Sequence, residues 1–366
     1  MVIDRLRAVV NLDNLIYNYE LLKKLNQGKE IFAVVKADAY GHGAKMCSLH
    51  LQKHGCNYFA VTVLKEALEL RDSGINKEIL IFGKTDPLNA SYLVEHDLCQ
   101  TVFSYDYAEE LNRYGKKIRV HLIIDTGMSR LGILYHKEAQ IDNVVNEIKK
   151  ISKLPNIEIV GIYSHFVSSD SDKELTAYQQ KLFNELLKRL KSETISYGLV
   201  HLQNSSGVVT IKNIDYDLAR CGIALYGYPP VKTEDKFLPV MSVFAKVISL
   251  RQIEAGDSVS YGRTFVAKDE MTIATIAIGY ADGYMRILSN NDYFYYKGYE
   301  LPVVGRICMG MTMVNVTGVE IKEGAEVEVF GERKLLEPMA KRALTITYEL
   351  LTNLAKPRID KIYINK

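Results

Sequence analysis

The chain has 366 residues, 48% of them apolar and 25% charged, the composition of a folded globular protein rather than a disordered one. Lys and Arg number 46 against 44 Asp and Glu, and a net charge of +2 gives no electrostatic footprint for nucleic acid or an anionic membrane. The cysteines (Cys47, Cys56, Cys99, Cys221, Cys308) are odd in number, dispersed and free of any CxxC pair, which argues against a disulfide framework or zinc knuckle and for a reducing compartment.

The opening MVIDRLRAVVNLDNL has no signal-peptide pattern, and no stretch reaches the length of a membrane span. A cytoplasmic protein, or the soluble cytoplasmic domain of a membrane-anchored one, is expected, with no membrane contact in this chain. Residues 1–11 read as a strand that joins a β domain further on. Next come apolar, β-branched runs: IFAVVK (31–36), YFAVT (58–62), EILIFG (78–83), CQTVFS (99–104), IRVHLIID (118–125), EIVGIYSHF (158–166), LVHLQNS (199–205) and DLARCGIALYG (217–227). Helical patterns separate them, clearest in KELTAYQQKLFNELLKRLKS (173–192). His50 and His54 share a predicted helix but have no third ligand nearby, so no metal site is expected. Strand and helix alternating to an eighth strand predict an α/β fold, an N-terminal (β/α)8 TIM-type barrel over residues 12–230. YGYPPVKTEDKFLP (226–239) then reads as a linker. Residues 231–366 change texture to strands and turns, a mostly-β domain with a helix around 337–353 and a last strand near 359–364.

Lys36 closes the first apolar run, followed by ADAYGHG. A lysine there either snorkels its head to solvent or is a partly desolvated amine with a lowered pKa, fit for a nucleophile or Schiff base. Barrel active sites form at the ends of the strands, which favours the second reading. Other polar residues share that address: Asp125 and Arg130 after the fifth strand, His165 at the sixth, Asn204 and Ser205 at the seventh, and Arg220, Gly222 and Ile223 at the eighth. The loops after strands seven and eight are a frequent phosphate site. A lysine at strand one with a phosphate cradle at strands seven and eight describes bound pyridoxal 5′-phosphate.

In order along nearly the full length, AVVKADAYGHG, DTGMSRLGI, GIYSHF, NSSG, RCGIALYG, SYGR, IGYADGY and GRICM make this sequence resemble the alanine racemase family. The resemblance implies an isomerase that interconverts L- and D-amino acids for cell-wall peptidoglycan precursors. Lys36 would carry the pyridoxal 5′-phosphate, and Tyr40, Asn204, Ser205, Gly222 and Ile223 would surround its phosphate end. Arg220 would face the pyridine nitrogen with His165 beside it, and Arg130 would lie near the phenolic oxygen. Tyr261 of SYGR would be the second acid/base, with Met309 and Tyr280 near a small amino-acid substrate. These would come from a second copy, so a homodimer with shared active sites is implied. Two bases are needed because inversion takes a proton from one face and returns one to the other. A tyrosine serves as a base near neutral pH only where neighbouring cations favour its phenolate.

Three positions depart from the family pattern. Ile123 stands where many members have a lysine modified to a carbamate, Gly310 follows GRICM in place of aspartate, and TNLAKPRID puts Asn353 or Leu354 where a tyrosine is usual. The missing tyrosine is similar to the serine/alanine racemases of vancomycin-resistance clusters (VanT type). In those the racemase domain follows a membrane-spanning region, and Asn353 would there read a substrate hydroxyl. The resemblance thus points first to serine and/or alanine racemisation and second to a housekeeping alanine racemase. More remote readings are an amino-acid decarboxylase on the same kind of barrel, disfavoured by Arg220 and the SYGR tyrosine, and a non-catalytic cofactor-binding barrel, disfavoured by the second domain.

Overall fold

In the computed structural model, residues 5–212, 215–354 and 358–365 are described. The chain divides into two compact units: one comprises Leu15–Ala39 and Ala44–Leu238, the other the residues up to Asn14, Tyr40–Gly43, and the chain from Pro239 onward. Pro229 and Pro230 stay with the first unit, and the break falls at the end of the 226–239 linker, later than the boundary expected at 230/231.

The strand β1 (Leu6–Asn11) belongs to the second unit; residues 1–4 of the predicted strand lie outside the described residues. The first unit is a ring of parallel strands: β2 (Glu30–Val34), β3 (Tyr58–Val61), β4 (Glu78–Ile81), β5 (Cys99–Val102), β6 (Ile118–Asp125), then past the short β7 (Ile133–Leu134) to β8 (Ile157–Tyr163), β9 (Leu199–His201) and β10 (Leu218–Cys221). Pairing of β10 with β2 and of β5 with β6 closes the ring into an eight-stranded barrel, while β7 pairs only with β6. Nearly every residue of β2 to β5 and of β10 is buried, as expected for strands covered on both faces, and it is why they read as continuous apolar runs. The helix Lys173–Ser192 matches its predicted span. Asp172 caps its start by accepting from the Leu175 N–H (2.9 Å), and Leu182, Phe183, Leu186 and Leu190 form its buried stripe.

The predicted strands overran at the end that matters for function. β2 stops at Val34, β8 at Tyr163, β9 at His201 and β10 at Cys221. Lys36, His165, Asn204 and Ser205 therefore sit in the turns beyond the ladders, and Ile223–Tyr226 is a 3-10 turn. Apolar residues such as Phe166, Leu202 and Ile223 continue inward past the last strand bond, so hydrophobicity alone does not mark where pairing ends.

In the second unit the long strand Met241–Ile253 is the spine. It pairs antiparallel with β1, with Glu326–Phe330 and with Met271–Ile276, and Asp360–Ile364 runs parallel to β1. The single helix expected around 337–353 is two, Leu336–Arg342 and Thr347–Asn353, because Leu344 takes a left-handed conformation (φ 54°) between them. Residues 355–357 of TNLAKPRID lie outside the described residues. No helix among the described residues is long and apolar enough to cross a membrane.

A buried carboxylate ties elements of the second unit together. Asp292 accepts from Lys334 Nζ (2.8 Å), Tyr284 Oη (2.7 Å) and Arg342 Nε (2.9 Å), tying the hairpin strand Tyr293–Tyr296 to the helix Leu336–Arg342. Lys334 is fully buried, and desolvation outweighs Asp292 to push its amine down to about 8. Removing one partner of such a pair strands a buried charge. Asp292→Ala is expected to destabilise this unit by about 3–5 kcal/mol, the range for a broken buried pair; a urea midpoint within error of wild type would show that the network contributes little.

Candidate active site

The residues after β2 adopt a conformation that L-amino acids avoid. Ala37, Asp38, Ala39 and Tyr40 all have φ between 51° and 55°, a turn of left-handed helix following Lys36. Each such residue costs roughly 1–2 kcal/mol, so the run stores on the order of 4–8 kcal/mol. Glu66 provides an opposing term of similar size. Its carboxylate accepts from the N–H groups of Ala37 (2.7 Å), Thr62 (2.8 Å) and Val63 (3.2 Å), and charge-assisted bonds contribute about 1.5–3 kcal/mol each. Asp38 further accepts from the Ala44 N–H (2.7 Å).

Lys36 is half-buried, and its amine is held below the ordinary lysine value by desolvation and by the nearby Arg130, with Glu66 opposing. Behind it the barrel interior is polar and fully packed. Arg220, only 4% exposed, donates through its terminal nitrogens to His201 Nδ1 (2.9 Å), His165 Nδ1 (3.2 Å) and the carbonyls of His201 (3.0 Å), Ser164 (2.7 Å) and Leu202 (3.2 Å). Its Nε makes no hydrogen bond among the described residues. Burial lowers the guanidinium to about 10, so it stays charged at neutral pH.

These bonds fix the histidine tautomers. Arg220 has only donors, so His201 accepts at Nδ1 and must carry its hydrogen on Nε2, which then donates to His121 Nδ1 (2.8 Å). Burial and the neighbouring Arg220 push His165 and His201 well below the usual histidine value, and burial with Arg119 and Arg220 takes His121 to about 3. All three rings are neutral supports. Tyr163 stacks on His201 (4.7 Å between ring centres), and the guanidinium carbon of Arg220 lies 4.8 Å from the centre of the Tyr163 ring. Gly161 makes room for this layer, because a Cβ there would lie 2.2 Å from His121 Nδ1.

The ends of β9 and β10 meet through the Gly222 N–H, which donates to Ser205 Oγ (3.0 Å), with Ile223 buried next to them. Asn204 also has a structural task. Its side-chain oxygen accepts from the Gly207 N–H (2.9 Å), Ser206 Oγ (2.8 Å) and Ser169 Oγ (3.0 Å), capping the short helix Ser205–Thr210. After β6, Asp125 holds the loop of Arg130 by accepting from the N–H groups of Gly127 (3.0 Å), Met128 (2.8 Å) and Ser129 (3.1 Å). Arg130 itself is exposed and makes no hydrogen bond among the described residues, and Ile123 is buried and apolar.

The remaining predicted site residues lie in the second unit. Tyr261 and Met309 are 71% and 61% exposed, with Tyr280 and Met311 also exposed. Ser260 Oγ donates to the Arg306 carbonyl (2.6 Å), and the N–H groups of Tyr280 and Ala281 donate to the carbonyls of Cys308 (3.1 Å) and Met309 (2.9 Å). SYGR, IGYADGY and GRICM are thereby held together. Gly283, at φ +100°, packs against the Asn353 carbonyl, which a Cβ would approach to 2.0 Å, so the end of the helix Thr347–Asn353 joins the same group. Leu354 is fully buried and Asn353 is half-buried. Tyr40 lies with this unit too, its ring 6.0 Å from that of Tyr348.

Two family profiles match the chain: "Alanine racemase, N-terminal domain" over residues 10–230 and "Alanine racemase, C-terminal domain" over 240–363. The chain belongs to the alanine racemase family. An alanine racemase of Clostridium novyi is 39% identical over 98% of this chain and 95% of its own. Among solved structures, an alanine racemase of Clostridium difficile 630 superposes with a TM-score of 0.91 at 34% identity, covering 100% of this chain and 97% of that one. The alanine racemase of Bartonella henselae, described with covalently bound pyridoxal phosphate, does so with a TM-score of 0.88 at 32% identity, covering 99% of this chain and 100% of its own.

Within this alanine racemase barrel, Lys36, His165, Ser205, Arg220, Gly222 and Ile223 sit on neighbouring strand-end turns. Glu66, His121 and His201 escaped the sequence reading. Glu66 sits in VLKEALEL, a helix start with glutamate at the third position, a signal for a cap but not for a turn elsewhere. One test concerns the Arg130 loop. Burial disfavours the Asp125 carboxylate, but the three N–H groups, with His136 3.1 Å away, outweigh it and hold Asp125 below the usual carboxylate value. Its stabilisation is full above about pH 4, the ordinary aspartate value, and fades as pH falls through the lowered folded value. Asp125→Asn is thus expected to lower the denaturation midpoint at pH 7, with the gap to wild type closing in acid. A gap that stays constant down to pH 2 would rule out this origin.

Proposed function

We propose that this chain is a pyridoxal 5′-phosphate-dependent alanine racemase that works as a homodimer in the cytoplasm. The observation that carries the cofactor is the charge of the barrel site. Lys36, Arg130 and Arg220 converge with neutral histidines, the Glu66 and Asp125 carboxylates are tied up in backbone bonds, and the cluster calls for an anionic ligand. Arg220 Nε–H suits the pyridine nitrogen, a ring acceptor that arginine cannot protonate. Lys36 would hold the cofactor covalently, Ser205 and the Gly222–Ile223 backbone its phosphate, and Arg130 its phenolic oxygen. When bound, the cofactor supplies an electron sink that acidifies the substrate Cα–H.

Inversion then needs a proton carrier on each face. Lys36 Nζ, with its lowered basicity, exchanges a proton on the face serving D-alanine. Tyr261 of a second copy would serve the opposite face. The exposed group of Tyr261, Tyr280, Met309 and Met311 supports that role, since apolar side chains gathered on a surface suit an interface. Tyr261→Phe is expected to cut racemisation by at least about 10²-fold, the usual contribution of an acid/base group, and mixed dimers of inactive Lys36→Ala and Tyr261→Phe chains should regain part of it. Absence of recovery in verified mixed dimers would contradict shared sites.

The substrate reading shifts from serine toward alanine. The curated relatives and the solved structures quoted above are alanine racemases, whereas the VanT-type reading rests only on Asn353 or Leu354 replacing a tyrosine. Leu354, fully buried, offers no hydroxyl-reading group. We expect kcat/KM for alanine to exceed that for serine by about tenfold or more, the scale on which a site tells apart substrates that differ by one small group. Equal or reversed values in a chiral product assay would restore the serine reading.

A further inference from the structure

We propose that Glu66 is a positioning residue for Lys36: its carboxylate locks the left-handed turn that sets where the amine points. Resting on Lys36 as the working amine, this adds a residue from a different strand-end segment to the site. The geometry is specific. One oxygen of Glu66 accepts from the N–H of Ala37, the peptide group joined directly to Lys36, while the other accepts from Thr62 and Val63 beyond β3. The carboxylate thus bridges two neighbouring strand ends across the barrel rim. Four successive L-residues at φ near +50° do not hold that conformation by themselves, and Ala37 and Ala39 bring no side-chain donor or acceptor to the task. A cap needed only for the helix Leu64–Asp72 would use the Thr62 and Val63 bonds, and the shorter Ala37 bond would serve no purpose. Its charge also acts on Lys36, opposing the lowering of the amine by burial and Arg130.

No neutral side chain reproduces this arrangement. Glutamine keeps the length, but its NH2 must then face N–H donors at one end of the bridge. The test compares Glu66→Gln and Glu66→Ala with wild type as purified holoenzymes. Four quantities are measured: amide hydrogen exchange over residues 35–41, kcat and KM for alanine, and the urea midpoint. Exchange in 35–41 is expected to rise about tenfold or more, with the helix Lys173–Ser192 unchanged, as for a local opening. kcat should fall by about tenfold or more with KM within about threefold, the pattern of a misplaced reacting group. Should Glu66→Ala fail to fold, Glu66→Gln carries the test alone. Unchanged protection of 35–41, or a loosened turn with unchanged kcat, would overturn the inference and leave Glu66 as a helix cap. Wild-type protein that does not racemise alanine would overturn the proposed function instead, while the exchange contrast would still show whether Glu66 holds the turn.

Discussion

A buried guanidinium with no carboxylate partner among the described residues governs the architecture of the barrel site. Arg220 sits inside the ring of strands on carbonyl oxygens and two histidine nitrogens, all neutral acceptors. Carbonyl dipoles make the charge tolerable in a low dielectric without cancelling it. Burial and its charge hold His165 and His201 well below the usual histidine value, their tautomers are fixed by it, and Tyr163, His201 and His121 pack as the layer that supports it. A positive potential remains at the strand ends, the feature an anionic cofactor requires.

The second constraint is conformational. Lys36 stands where the strand ladder has stopped and a left-handed turn begins, so its position depends on backbone strain being balanced by Glu66. Burial and Arg130 then depress the amine. Charge and strain act on the same few atoms, and burial with Arg130 leaves Lys36 a weaker base than a lysine in water. The other unit solves a comparable problem with a buried carboxylate, Asp292, and three donors.

Much of this was legible in the chain. Continuous β-branched runs separated by helical patterns gave the barrel, because strands covered on both faces have no polar side to alternate. Lys36, Ser205 and Arg220 were visible because they follow such runs. Strand ends were not visible, since Phe166, Leu202 and Ile223 stay apolar after pairing stops. Glu66 and the His201–His121 pair were hidden for another reason: their partners are distant in sequence, and nothing local distinguishes a helix-capping glutamate from one that also grips Ala37. The cap that Asn204 makes through its side-chain oxygen was not legible either, because its partners lie on the helix it starts and on Ser169, far off in sequence. The inclination toward serine came from one missing tyrosine, a weaker signal than similarity along the whole chain.

The central claim is that this cationic barrel mouth exists to hold pyridoxal 5′-phosphate on Lys36. Cofactor-free protein can be titrated with pyridoxal 5′-phosphate or with pyridoxal, reduced with borohydride and mapped by peptide mass spectrometry. The account predicts label on Lys36 and saturation by the phosphorylated form at a concentration about 10²-fold lower, the gain expected from several charge-assisted phosphate contacts. Label on another lysine, or equal uptake of the two forms, would contradict it.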